Sequence, residues 1–153
     1  MKKLFFLMIG IVVLFGVNIK KLENPCNKGN AASCGTVGEL FYAYKNYKKA
    51  AELFKKGCDL GNDLSCYGLG LLYAHGKGVK QDYKRAAELY KKACENGYIN
   101  GCINIGLLYV YGKGVSKNYY KAYEYWQKAA KKGDSDAQHN LDILCSDHPW
   151  VCK

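Results

Sequence analysis

Proline is almost absent. Two prolines and 17 glycines in 153 residues exclude a proline-rich linker and a collagen-like chain. Histidine is scarce: His75, His139 and His148 are the three. No two of them share a helical face at i, i+4, so no clustered zinc site is expected. His139-x-x-Asp142 is a helical i, i+3 pair, but two ligands do not close a metal site, and the pair reads as solvated or capping. No Cys-x-x-Cys occurs, which removes the familiar redox and zinc spacings. No Ser-x-x-Lys occurs either. Three residues after Ser33, Ser65, Ser116, Ser135 and Ser146 stand Thr36, Gly68, Tyr119, Gln138 and Pro149, so a serine nucleophile with a lysine one turn away is missing. No phosphate-cradling glycine motif is found. The sequence thus names no catalytic residue, and no cofactor or metal is expected.

Acid is missing from the first 22 residues. Met1-Lys2-Lys3 is a short basic start, and Leu4 to Val17 is an apolar run. Its length suits a secretory signal and is short for a membrane span of about 20 residues. No small-x-small cleavage pattern follows the run. Residues 1–21 therefore read as a signal peptide or, alternatively, an uncleaved N-terminal anchor, the only membrane contact expected. Proline at 25 makes a poor lipobox before Cys26. Both readings place the rest of the chain in the periplasm or outside the cell. The net charge is +10, and four of the 23 cations precede Leu22, so the remainder carries +6. Eight cysteines, all after residue 25, point away from a reducing cytosol.

The remainder repeats. A shift of 36 residues carries Cys58, Gly61 and Cys66 onto Cys94, Gly97 and Cys102, and Gly70-Leu71-Leu72-Tyr73 onto Gly106-Leu107-Leu108-Tyr109. Gly76-Lys77-Gly78-Val79 falls on Gly112-Lys113-Gly114-Val115. Cys26 and Cys34 match Cys58 and Cys66 at only 32, because the first unit lacks the Gly-Lys-Gly-Val segment and turns at Tyr44-Lys45-Asn46. Each unit reads as two helices, A over about 64–75 and 101–111, B over about 82–96 and 118–132. Asp82 and Asn118 are N-cap residues, Gly97 and Gly133 end helices, and Gly76-x-Gly78 forms the turn between A and B. Gly70 and Gly106 inside helix A each cost about 1 kcal/mol in propensity. A close neighbour, expected at Ala86 or Ala122, would offset that. The 14 tyrosines read mainly as packing between repeats. The fold expected is all-α, a short α/α solenoid of about three hairpins plus a terminal helix over residues 22–144, with a cap at 145–153.

Cys26/Cys34, Cys58/Cys66 and Cys94/Cys102 share one spacing. Each pair joins the end of a helix B to the next helix A across an antiparallel turn, so a bridge is geometrically reasonable. Each would add roughly 2–3 kcal/mol by chain entropy. Cys145/Cys152 encloses His148-Pro149-Trp150, and Pro149 stops the helix. Sequential pairing is preferred, although spacing alone does not fix it.

Ile105-Gly106-Leu107-Leu108-Tyr109-(x2)-Gly112-Lys113-Gly114-Val115, followed by Tyr119, Ala122, Tyr125, Ala129-Ala130 and Gly133, resembles the Sel-one-like repeat, a relative of the tetratricopeptide repeat. With the cysteine pairs it is similar to the Hcp-type cysteine-rich secreted bacterial proteins over about residues 26–145. It departs from them at the first turn, at Ala130 and Gln138 in place of a fourth cysteine pair, and in the Cys145/Cys152 tail. The resemblance implies penicillin binding and weak β-lactamase activity, that is, slow hydrolysis of the β-lactam amide.

The residues themselves favour an interaction module, whose concave face would bind a peptide, a peptidoglycan-like cell-wall fragment or a partner protein. Asn104 and Asn140 hold the same register on successive A helices and suit hydrogen bonding to an amide. Tyr67, Tyr111, His75 and His139 are expected near the same edge. Lysines such as Lys48, Lys55, Lys91 and Lys131 spread over outward faces of helix B, and no nucleic-acid partner is expected.

Overall fold

The computed structural model describes residues 19–153. Most of residues 1–21, expected from sequence to be a signal peptide or an N-terminal anchor, lies outside the described residues. Among those described, no helix is long and apolar enough to cross a membrane. The chain forms α1 (Ile19–Asn27), α2 (Ala31–Ala43), α3 (Tyr47–Asp59), α4 (Asp63–His75), α5 (Tyr83–Glu95), α6 (Ile99–Tyr111), α7 (Tyr119–Ala130) and α8 (Ser135–Asp147), then a 3-10 turn over Pro149–Val151. Each helix packs on its neighbours in sequence, and α2 also packs on α4. The first helices of the hairpins (α2, α4, α6) form one layer and the second helices (α3, α5, α7) the other.

Local chemistry sets the boundaries. Six helices begin at an Asn or Asp whose side chain accepts from the backbone N–H three residues on, as Asn62 does from Ser65 at 2.8 Å and Asp134 from Ala137 at 2.8 Å. Such caps satisfy amides the helix leaves open. Gly76 and Gly112 close α4 and α6 with φ of 63° and 64°, where other residues are strained. Lys45, with φ 60°, makes the corresponding turn of the shorter first hairpin.

The glycines inside the first helices serve packing, but not as expected from sequence. A Cβ on Gly70 would lie 2.7 Å from the Tyr90 ring, and one on Gly106 would strike the Trp126 indole. The partners are thus Tyr90 and Trp126, one helical turn beyond Ala86 and Ala122. A flat ring needs the space of a missing side chain, whereas alanine would not. Phe54, Tyr90 and Trp126 occupy one register and are all buried. The Trp126 indole N–H also donates to the Ile103 carbonyl at 3.0 Å.

All eight cysteines are paired. Cys26–Cys34, Cys58–Cys66 and Cys94–Cys102 bridge at Cα separations of 4.7, 4.5 and 4.6 Å, and Cys145–Cys152 at 5.7 Å. Such pairing belongs to an oxidising compartment. Lysines in or just after the second helices add ties: Lys92 Nζ donates to the Cys58 carbonyl at 3.1 Å, and Lys132 Nζ to the Gly97 carbonyl at 3.1 Å. Cations there complement the carbonyl ends of the preceding helices.

Candidate functional site

A cleft of about 370 Å³ opens where α2, α4 and the start of α6 meet. Glu39 and Tyr42 come from α2, Leu64, Tyr67, Gly68 and Leu71 from α4, and Tyr98 and Asn100 from the α6 end, with Phe54 of α3 as floor. Gly68 makes the floor possible, since a Cβ there would lie 2.7 Å from the Phe54 ring. The Tyr67 ring stands 5.2 Å from Tyr98 and 5.7 Å from Tyr90, centroid to centroid. Tyr67, Tyr90 and Tyr98 all titrate above the ordinary phenol range, chiefly because burial disfavours the phenolate. The Asn104 amide faces the phenols of Tyr67 and Tyr90 and partly offsets the rise. Asn100 does the same for Tyr98, while the nearby carboxylate of Glu39 adds to it.

Of the residues singled out from sequence, Tyr67 lines this cleft, and Asn104 sits behind it against the phenols. The other four lie elsewhere. His75 and Tyr111 are exposed at the C-terminal ends of α4 and α6, and the Tyr111 ring carries Lys113 Nζ at 5.9 Å. His139 is exposed on α8, and Asn140 half-buried there, beyond α6. Asp142, which the sequence paired with His139, instead accepts from Gln138 Nε2 at 2.9 Å. Among the described residues no three His, Cys, Asp or Glu side chains gather as metal ligands.

Sequence reasoning missed Glu39, Tyr98 and Asn100. A signal existed for the first two. Glu39 stands in the register held by Leu71 and Leu107, and Tyr98 in the cap register held by Asn62 and Asp134. Tyr98 caps α6 with extended backbone but no side-chain bond. Every other capped α-helix described has that bond.

These features define a class: an α/α solenoid of helical hairpins, stapled between repeats by disulfides and presenting an aromatic cleft. The Sel1 repeat model matches residues 32–62, 63–98 and 99–134, and the chain belongs to the Sel1 repeat family. Among solved structures, it is similar to a Sel1 repeat protein from Oxalobacter formigenes (28% identity, TM-score 0.76, 82% of this chain and 53% of that one). It is also similar to c5321, a protective antigen of uropathogenic Escherichia coli (30% identity, TM-score 0.73, 80% and 27%). Helicobacter pylori cysteine rich protein B shares 31% identity at a TM-score of 0.64 over 80% of this chain and 96% of its own. A 46-residue stretch is 44% identical to the Helicobacter pylori protein named "Putative beta-lactamase HcpE", covering 30% of this chain and 13% of that protein. The chain thus spans well under two thirds of HcpE, of c5321 and of the Oxalobacter protein.

Proposed function

We propose that this chain is an exported interaction module that binds an extended peptide segment of a partner protein in the cleft between α2, α4 and α6. The observation that carries the reading is the cleft itself: a preformed recess walled by tyrosine rings from successive repeats. Rings of this kind supply large contact area at low entropic cost. The inter-repeat bridges hold the walls in place before a ligand arrives.

The name of HcpE raises β-lactam hydrolysis as a second reading. Among the described residues the cleft lining contains no serine, cysteine, lysine or histidine, so it lacks the usual acyl-transfer nucleophiles, and the Glu39 carboxylate has no such partner there to activate. Saturable turnover of a chromogenic β-lactam that falls in Tyr98→Asn would overturn the binding reading.

The direct test is selection of random heptapeptides displayed on phage by the oxidised chain. Peptides recovered by the native chain and lost with Tyr98→Asn support the module. Tyr98→Asn removes a cleft wall while supplying the cap oxygen used elsewhere in the array, so the fold is kept. Recovery that is equal with both proteins, or absent, would defeat the proposal.

A further inference from the structure

The repeats supply their own control. Positions that build the array recur from unit to unit, so departures mark what the array does not need. Two departures, Glu39 and Tyr98, meet at the same cleft wall. Glu39 is exposed on α2 where the next two first helices carry Leu71 and Leu107. Among the described residues it is the only charged one lining the cleft, in a chain with ten more cations than acids. No ion pair among the described residues engages it. Tyr98 gives up a side-chain cap worth about 1 kcal/mol, and its ring instead faces Tyr67 at 5.2 Å.

The other tyrosine faces, including that of Tyr42 in the cleft lining, show what such rings do here. Lys77 stands over Tyr42 and Tyr47, Lys113 over Tyr83, Lys121 over Tyr109. Among the described residues no cation of the chain covers Tyr67 or Tyr98. Rings attract a cation through their negative faces, and an adjacent carboxylate adds direct charge pairing.

From this juxtaposition we infer that the cleft is a cation subsite: it takes a lysine or arginine side chain of the bound peptide against Tyr67 and Tyr98, with the charge directed at Glu39. The inference rests on the peptide-binding reading and narrows it. The aliphatic stem of the incoming side chain would lie along Leu71. A peptide with an acidic side chain at that position is excluded by like charge.

The test compares heptapeptides selected by the native chain and by Glu39→Gln. The native chain should enrich lysine or arginine at one peptide position, and Glu39→Gln should not. The best native-selected peptide is then synthesised with lysine, arginine or norleucine at that position, and its affinity is measured by calorimetry. The cationic forms should bind about fivefold to tenfold more tightly than norleucine, the combined range expected for a cation at aromatic faces and beside a carboxylate. In Glu39→Gln the gap should narrow to about twofold to threefold, the share left to the rings, with the norleucine peptide unaffected. The lysine and arginine arms show which cation fits. Selected peptides without cation enrichment, or equal binding of the norleucine form, would overturn the inference and leave the module standing. Failure to recover any peptide would overturn both.

Discussion

Tyr90 lies with its ring against Gly70 and its hydroxyl beside Asn104, at the back of the cleft. It is buried, and its phenol titrates well above the ordinary value. In the unfolded chain the same group loses its proton near pH 10. Above that pH the folded state holds a proton that the unfolded state has released, so stability falls as pH rises. Below it both states are protonated and pH has no leverage. The slope is about 1.4 kcal/mol per pH unit for each proton so held. Tyr67 and Tyr125 shift in the same direction but are less buried. The urea midpoint of the oxidised chain should therefore be flat from pH 7 to 9 and drop by pH 11. Tyr90→Phe keeps the ring over Gly70 and should lose part of that drop. An identical drop in Tyr90→Phe would place the titrating groups elsewhere.

The 3-10 turn over Pro149–Val151 packs on the last hairpin where the earlier hairpins meet the turn of the next repeat. The backbone of Gly78 packs on Tyr47 at the start of α3, with Lys77 over the ring. Gly114 and Lys113 do the same for Tyr83 at the start of α5. Among the described residues no turn of this kind packs on Tyr119, at the start of α7. His148 stacks on its ring at 3.9 Å instead. Val151 is buried with Ala122, Trp126, Leu141 and Leu144. The Cys145–Cys152 bridge holds the tail there. Replacing both cysteines by serine should cost roughly 2–3 kcal/mol, by the entropy of so small a ring. The loss should be local. Hydrogen exchange should quicken in α7 and α8 and stay unchanged in α2 to α4. Uniform quickening would mean that the tail is not a cap.

The helices, caps and inter-repeat bridges were legible in the sequence because recurrence is itself a physical signal: every copy must solve the same packing problem. The cleft was only partly legible for the same reason. Asn104 and Asn140 stood out because they recur, yet two residues of the cleft wall, Glu39 and Tyr98, break the recurrence. Nor could the recurrence show that Gly70 faces Tyr90. That contact depends on how the two helices of a hairpin are rotated, which the 36-residue period leaves open.

At the scale of the whole molecule, stability is a chain of neighbouring interfaces, and three of the four bridges each cross one. Cys94–Cys102 ties α5 to α6, so it also fixes the start of α6, where Tyr98 stands, relative to α4, where Tyr67 stands. Cys26–Cys34 ties α1 to α2 at the other end and fixes neither ring. The two bridges have equal spans and should contribute similar stability, roughly 2–3 kcal/mol each. Their effects on binding should differ. Cys94→Ser with Cys102→Ser should weaken the selected peptide severalfold without changing a lining residue, because the rings are no longer held before the ligand arrives. It should also let α6 to α8 exchange hydrogen ahead of α2 to α4. Cys26→Ser with Cys34→Ser should loosen α1 and leave affinity within about twofold. Calorimetry on the two variants, at a temperature where both are folded, decides the matter. Equal losses would mean that the staples act on binding only through overall stability. A loss confined to the first pair would show the cleft is organised across that one seam.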